Sequence, residues 1–288
     1  MENNNVTAVL LISCPDRRGL VAGISKFIFQ NNGNIIHADQ HTDAEKNIFL
    51  QRVEWELKGF KIPREKIAEK FKPLAQELGL AHWEIRFSDY VPRMAIFVSN
   101  QAHCMYDLLS RQQMNDFKVE IPLIVSNHQD LRHIADDFGI EFQHCPITPK
   151  TKIAQEKLIL EKLKEKKIDL IVLARYMQVL SHNFIKNYPN KIINIHHSFL
   201  PAFAGSKPYH QAHEKGVKVI GATAHYVTPE LDNGPIIEQD VARVSHRDDV
   251  KDLIKKGKDL EKVVLARAVD LHLSNRILVY ANKTVVFD

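Results

Sequence analysis

Cysteine is scarce, long apolar runs are missing, and neither sign of charge dominates. The 3 cysteines, Cys14, Cys104 and Cys145, show no C-x-x-C spacing. That speaks against a disulfide framework and for a reducing compartment. No apolar stretch approaches the length of a membrane span. The opening residues MENNN lack the basic and apolar parts of a secretory signal. The expected location is the cytoplasm, with no membrane partner. A net charge of +4 makes no case for nucleic acid, though it suits an anionic small molecule. Internal repeats and low-complexity tracts are missing too.

What is present is an ordinary globular composition, with 44% hydrophobic and 26% charged residues. A chain of 288 residues can form two domains or one large one.

Thr7–Ser13 is apolar and β-branched, a strand broken by the turn residues Cys14–Gly19. Leu20, Ile24, Phe27 and Ile28 recur at helical spacing. Asn31-Asn32-Gly33-Asn34 stops that helix, because Asn and Gly tolerate the left-handed conformation. Ile35–Thr42 reads as a second strand. Phe49, Val53, Trp55 and Leu57 mark one side of a third, interrupted by Gln51. Pro63–Leu78 reads as a helix with Ile67, Phe71, Leu74 and Leu78 on one face, and Trp83, Ile85 and Phe87 alternate in a fourth strand. This βαββαβ order is the ferredoxin-like arrangement. The run Pro15-Asp16-Arg17-Arg18-Gly19-Leu20-Val21-Ala22, followed by Asn31-Asn32-Gly33-Asn34-Ile35, resembles the ACT domain family of regulatory modules. The resemblance implies a small amino-acid effector at the first strand–helix turn, on Asp16, Gly19, Leu20, Asn34 and Ile35. Glycine and methionine are the candidates. Amide N–H groups opening the helix can hold a carboxylate there. A module used only for oligomer contact is the alternative, and a homo-oligomer is expected either way.

The expected organisation is an ACT-like domain over residues 1–87, a linker over 88–93 that holds Pro92, and a catalytic domain over 94–288. Strands at Met94–Ser99, Ile121–Ser126, Ile140–His144, Ile168–Ala174 and around Ile192 alternate with helices at His103–Met114, Gln129–Phe138 and Pro149–Lys166. In the last helix Ile153, Leu160 and Leu163 are expected to face the core. A further strand run, Val217–Val227, a long helix at Val250–Leu273 and a strand pair at Arg276–Tyr280 and Thr284–Phe287 complete the chain. The fold class is α/β, with a doubly wound, mainly parallel sheet.

The stretch Ile192–Asp240 carries the chemistry. Its first strand ends in Asn194-Ile195-His196-His197-Ser198, and its second leads into Thr228-Pro229-Glu230-Leu231-Asp232-Asn233-Gly234-Pro235. Open α/β sheets place sites at such carboxyl ends. An amide and an imidazole can donate to an oxyanion, and a carboxylate can orient the imidazole or take a proton from water. Ser198 lacks a G-x-S-x-G elbow and reads as a turn hydroxyl. His196, His197, His210, His213 and His225 lack partners at familiar metal-ligand spacing, so no metal is expected.

Asn194-Ile195-His196-His197-Ser198-Phe199-Leu200-Pro201 and Leu231-Asp232-Asn233-Gly234-Pro235 resemble the formyltransferase family that uses 10-formyltetrahydrofolate, with His197 where the transferases have Pro. The resemblance implies catalytic roles for Asn194, His196 and Asp232. It also implies a folate site on Arg175, Met177, Gln178, Val179, Leu180, Val227, Thr228 and Glu230. Leu173-Ala174-Arg175-Tyr176-Met177-Gln178, Lys207-Pro208-Tyr209-His210-Gln211-Ala212 and Asn282-Lys283-Thr284-Val285-Val286-Phe287 extend the likeness over nearly the whole chain to the deformylases of that fold, which release formate. The folate is then the substrate, and no prosthetic group is implied. The loop Ser99-Asn100-Gln101-Ala102-His103-Cys104 holds no glycine, a poor cradle for a phosphate-bearing acceptor, which suits water as the acceptor. Gly205–His210 reads as a lid with Gly205 as its hinge. A formyltransferase with another amine acceptor and a non-catalytic folate or amino-acid sensor are the alternatives.

Overall fold

The computed structural model describes residues 6–201 and 208–288. The chain divides into two compact units, one of residues 1–90 with 274–288 and one of residues 91–273.

In the first unit the elements run β1 (Thr7–Pro15), α1 (Leu20–Gln30), β2 (Asn34–Asp43), β3 (Ile48–Glu56), α2 (Ile67–Glu77) and β4 (His82–Phe87). The four-stranded sheet has the order β2-β3-β1-β4, and all its pairings are antiparallel. Strand β1 is apolar over residues 8–12 because both of its faces are covered. Ala8, Leu10 and Ile12 meet Leu20, Ile24 and Ile28 of α1 and Ile67 and Phe71 of α2. Val9 and Leu11 pack with Leu50 and Phe287. Helix α2 starts later than its apolar pattern suggests, since Pro63 is extended and a 3-10 turn at Arg64–Lys66 intervenes.

The second unit contains β5 (Arg93–Val98), α3 (His103–Gln113), β6 (Glu120–Ser126), α4 (Arg132–Asp137), β7 (Glu141–His144), α5 (Lys152–Glu165), β8 (Leu170–Leu173), α6 (His182–Ile185), β9 (Ile192–His196), α7 (Pro208–Glu214), β10 (Val219–Tyr226), β11 (Ile236–Arg243) and α8 (Val250–Leu273). Its seven-stranded sheet has the order β11-β10-β9-β8-β5-β6-β7. Strands β5 to β9 are parallel, and β10 and β11 are antiparallel additions at one edge. Strand β11 is not apparent from sequence. Helix α5 also differs from expectation: its buried stripe is Glu156, Ile159 and Leu163, while Ile153 is 84% exposed. An apolar count cannot anticipate a glutamate turned inward, where Glu156 accepts the Ser181 N–H. Among the described residues no helix is long and apolar enough to cross a membrane.

The C-terminal hairpin of β12 (Ile277–Tyr280) and β13 (Lys283–Val286) corrects the expected domain division, which assigned it to the catalytic domain. It belongs to the first unit. Phe287, Leu278, Tyr280 and Val285 close the face of β1 and β3 opposite the helices. Arg52 Nε donates to the Asn275 carbonyl, and the Tyr280 hydroxyl donates to Asp43.

Candidate active site

The register of β9 against β10 builds the site. Asn194 lies opposite His225, and His196 opposite Thr223, so all four side chains share one face of the sheet. Because β10 is antiparallel to β9, its carboxyl end lies beside the start of β9, where the Val227 N–H donates to the Ile192 carbonyl. The expected arrangement, with Asp232 simply at a second strand end, is therefore incomplete. The loop between β10 and β11 must fold back, and it does: Asp232 Oδ2 reaches to 3.3 Å of His196 Nδ1 and Oδ1 to 3.8 Å of His225 Nε2. Two backbone features make this turn. Asp232 sits at φ 54, a left-handed conformation that aspartate tolerates. Gly234 passes so near Tyr226 that an added Cβ would lie 1.7 Å from the Tyr226 carbonyl oxygen.

The hydrogen bonds assign protons. His225 Nδ1 faces the Tyr226 carbonyl at 3.0 Å, and a carbonyl only accepts, so Nδ1 carries the hydrogen. Burial holds the His225 ring below its ordinary value, so Nε2 is a lone pair. It accepts from Asn194 Nδ2 at 3.2 Å, which fixes the amide and leaves its second N–H to point elsewhere. The hydrogen bond from His196 holds Asp232 below the usual carboxylate range. The ionised carboxylate accepts His196 Nδ1–H, and His196 Nε2 is buried without a partner among the described residues. Sequence reasoning did not single out His225 for this bracing role. Its signal was an imidazole inside the mostly apolar run Val219–Tyr226.

The loops at the carboxyl edge are tied together. The Met177 N–H donates to Ser99 Oγ, whose hydroxyl donates to Asn127. Leu180 and Val227, one from each segment expected to hold folate, belong to one apolar cluster. Leu180 is core, whereas Met177 and Val179 are 60% and 54% exposed, free to cover a flat ring. Gln178 is half-buried. Thr228 donates to the Glu230 carbonyl, and the Glu230 carboxylate accepts from Asn233, which stiffens the returning loop. Arg175, at φ 64, lies with its Nε 3.5 Å from Glu261 Oε2.

Glu261 of α8 is 1% exposed and draws three elements together. It accepts from His103 Nε2 at 2.7 Å and from the Tyr209 hydroxyl at 2.8 Å. Burial alone would lift its carboxyl, but the His103 hydrogen bond and the Arg175 charge outweigh that and hold it low. His103, Cys104 and Glu261 offer donors within 4.8 Å of one another. A cation there would meet the Arg175 guanidinium, and a Cys104 thiol that burial lifts well above its ordinary value. Of the expected Gly205–His210 lid, residues 205–207 lie outside the described residues and Pro208 opens α7.

Residues 92–269 match the formyl transferase family, and residues 8–76 match the ACT domain family. A formyltetrahydrofolate deformylase of Synechocystis sp. is 60% identical over 98% of this chain and 99% of its own length. The chain belongs to the formyltetrahydrofolate deformylase family. A Bacillus subtilis deformylase is 42% identical over 100% of this chain and 96% of its own. The crystal structure of a deformylase from Pseudomonas syringae superposes with a TM-score of 0.96 at 44% identity, covering 100% of this chain and 96% of that one. Within this deformylase-family chain the expected ACT-domain positions do not gather at one turn: Asp16, Gly19 and Leu20 follow the end of β1, whereas Asn34 and Ile35 open β2 level with the start of β1, since Thr7 and Asn34 both pair with Glu56. Gly19, at φ 90, opens α1 without a side-chain cap, and the exposed Asp16 donates its N–H to Asn47. Asn34 donates to Glu56. Leu20 is buried and Ile35 packs against the same core, so these two can offer a ligand only backbone groups.

Proposed function

We propose that this chain hydrolyses 10-formyltetrahydrofolate to tetrahydrofolate and formate. The observation that carries the reading is the convergence of Asn194 and the His196–Asp232 pair on one sheet face, with His225 bracing the amide. The formyl carbon is bonded to a weakly basic aryl nitrogen. Water adds to that carbon, and the carbonyl electron pair moves onto oxygen. The free N–H of Asn194 and the His196 ring, held by Asp232, donate to that oxyanion. Collapse reforms the carbonyl and breaks the C–N bond. The nitrogen leaves with the electron pair and takes up a proton, and formic acid loses its own to solvent. Removing one such donor costs about 3–4 kcal/mol of barrier.

The pterin lies along the exposed side chains of Met177 and Val179, between Gln178 and the stiffened loop of Thr228 and Glu230. The ACT domain takes a small amino acid, glycine or methionine, at the turn of Asp16, Gly19 and Leu20, in a cytoplasmic homo-oligomer. The formate supplies purine synthesis and balances the one-carbon pool. The deciding assay is formate release by purified protein given 10-formyltetrahydrofolate and no amine. One formate per tetrahydrofolate is the expected result, and dependence on an added amine would make the chain a transferase.

A further inference from the structure

Attack by water requires a place for the proton that the water loses. Asp232 is already committed, with one oxygen 3.3 Å from His196 Nδ1 and the other 3.8 Å from His225 Nε2. His225 is committed through both ring nitrogens, to the Tyr226 carbonyl and to Asn194. Both oxygens of Glu261 are engaged, by Tyr209 and His103. His197 is placed differently. Strand β9 ends at His196, and the next ring lies stacked on it, with centroids 5.2 Å apart and planes at 26°. The Tyr209 ring is 6.2 Å away, held by its bond to Glu261. The His197 ring is half-buried, and its ring nitrogens make no hydrogen bond among the described residues.

We propose that His197 is a catalytic residue, the base that takes the proton from the attacking water and passes it to the departing nitrogen. This rests on the hydrolytic reading above. Burial first, and then the positive charges of Arg175 and His196, push the His197 ring down to about 4, so its lone pair is present at neutral pH. As the C–O bond forms, one water proton moves to a His197 ring nitrogen and the carbonyl pair moves to oxygen. The resulting imidazolium is an acid matched to a weakly basic aryl nitrogen. It returns the proton to that nitrogen as the C–N bond breaks, and the ring ends neutral, as it began. Glu261 is a positioning residue in this scheme, anchoring Tyr209 and Arg175 beside the ring.

The test uses the full chain as wild type, His197→Asn and His197→Ala, with folate binding measured to verify the fold. Formate release is followed alone, with imidazole added, and with hydroxylamine as a competing nucleophile. Loss of a general base should lower kcat for formate by about 100-fold or more, with KM within about threefold. Hydroxylamine attacks without such help, so the ratio of formylhydroxamate to formate should rise at least about tenfold. Imidazole should restore part of the formate release in the alanine variant. A kcat within about threefold of wild type, or formate and hydroxamate falling together at an unchanged ratio without imidazole rescue, overturns the proposal. Wild type that releases no formate overturns the hydrolytic reading and this inference with it, whereas an active wild type beside unaffected variants removes His197 alone.

Discussion

At Asp232 chemistry and backbone impose separate demands. Its φ of 54 suits aspartate and asparagine and strains most other residues. Asp232→Asn should therefore fold and bind folate as wild type does, while formate release drops about 10²–10³-fold. Asp232→Ala should add a melting-temperature loss from roughly 1–2 kcal/mol of strain. Near-normal turnover in the asparagine variant would remove Asp232 from the mechanism. His197 and His225 give the protein a pH signature. Both rings stay neutral when folded, while in the unfolded chain each takes a proton near its ordinary value of 6.5. Below that value the unfolded state binds more protons, so stability falls with pH. For His197 the loss continues until the folded ring protonates at about 4, a contribution of up to about 3 kcal/mol. Urea unfolding between about pH 7 and 5 should show this slope, and His197→Asn should flatten it. An unchanged slope would mean that the ring is solvated in the folded protein.

The hairpin of β10 and β11 carries Asp232 back across the sheet, and Gly234 is its tightest point. In Gly234→Ala the new methyl meets the Tyr226 carbonyl, a backbone atom that cannot swing aside. The loop should shift, costing about 1–3 kcal/mol or more as overpacking does. Formate release should fall with it, because Asp232 leaves His196. A melting temperature and turnover equal to wild type would show that the loop has room which the close approach denies. The elements themselves were unevenly legible. The long helix Val250–Leu273 is periodic and bounded as its sequence indicates. Strand β11 escaped because its residues alternate poorly between buried and exposed, and an edge strand with a mixed pattern carries no period-2 signal.

Across the whole molecule, the end of the chain completes the unit formed at its beginning. Phe287 is 1% exposed against Val9, Leu11 and Leu50. Phe287→Ala should destabilise the first unit by about 3–5 kcal/mol. Hydrogen exchange should report it as faster amide exchange in β1 and β3. Unchanged protection of those strands would mean that the hairpin only rests on the sheet. Local patterning misassigned this hairpin because two short apolar strands look alike whichever sheet face they cover. What decides is the second apolar face of β1, and that face is visible only once α1 and α2 have claimed the first.

The sequence by itself determined the βαββαβ order and the alternation of strands and helices that makes a parallel sheet, while its resemblance to the formyltransferases pointed to Asn194, His196 and Asp232. The first two follow from local periodicity and turn chemistry, which act over a few neighbours. Only the tertiary structure decided which face those groups share, how an antiparallel strand returns Asp232 to His196, that His225 fixes the amide, and that His197 stacks on His196. These depend on register and on contacts between residues far apart in the chain, and a one-residue slip in pairing would send each side chain to the opposite face.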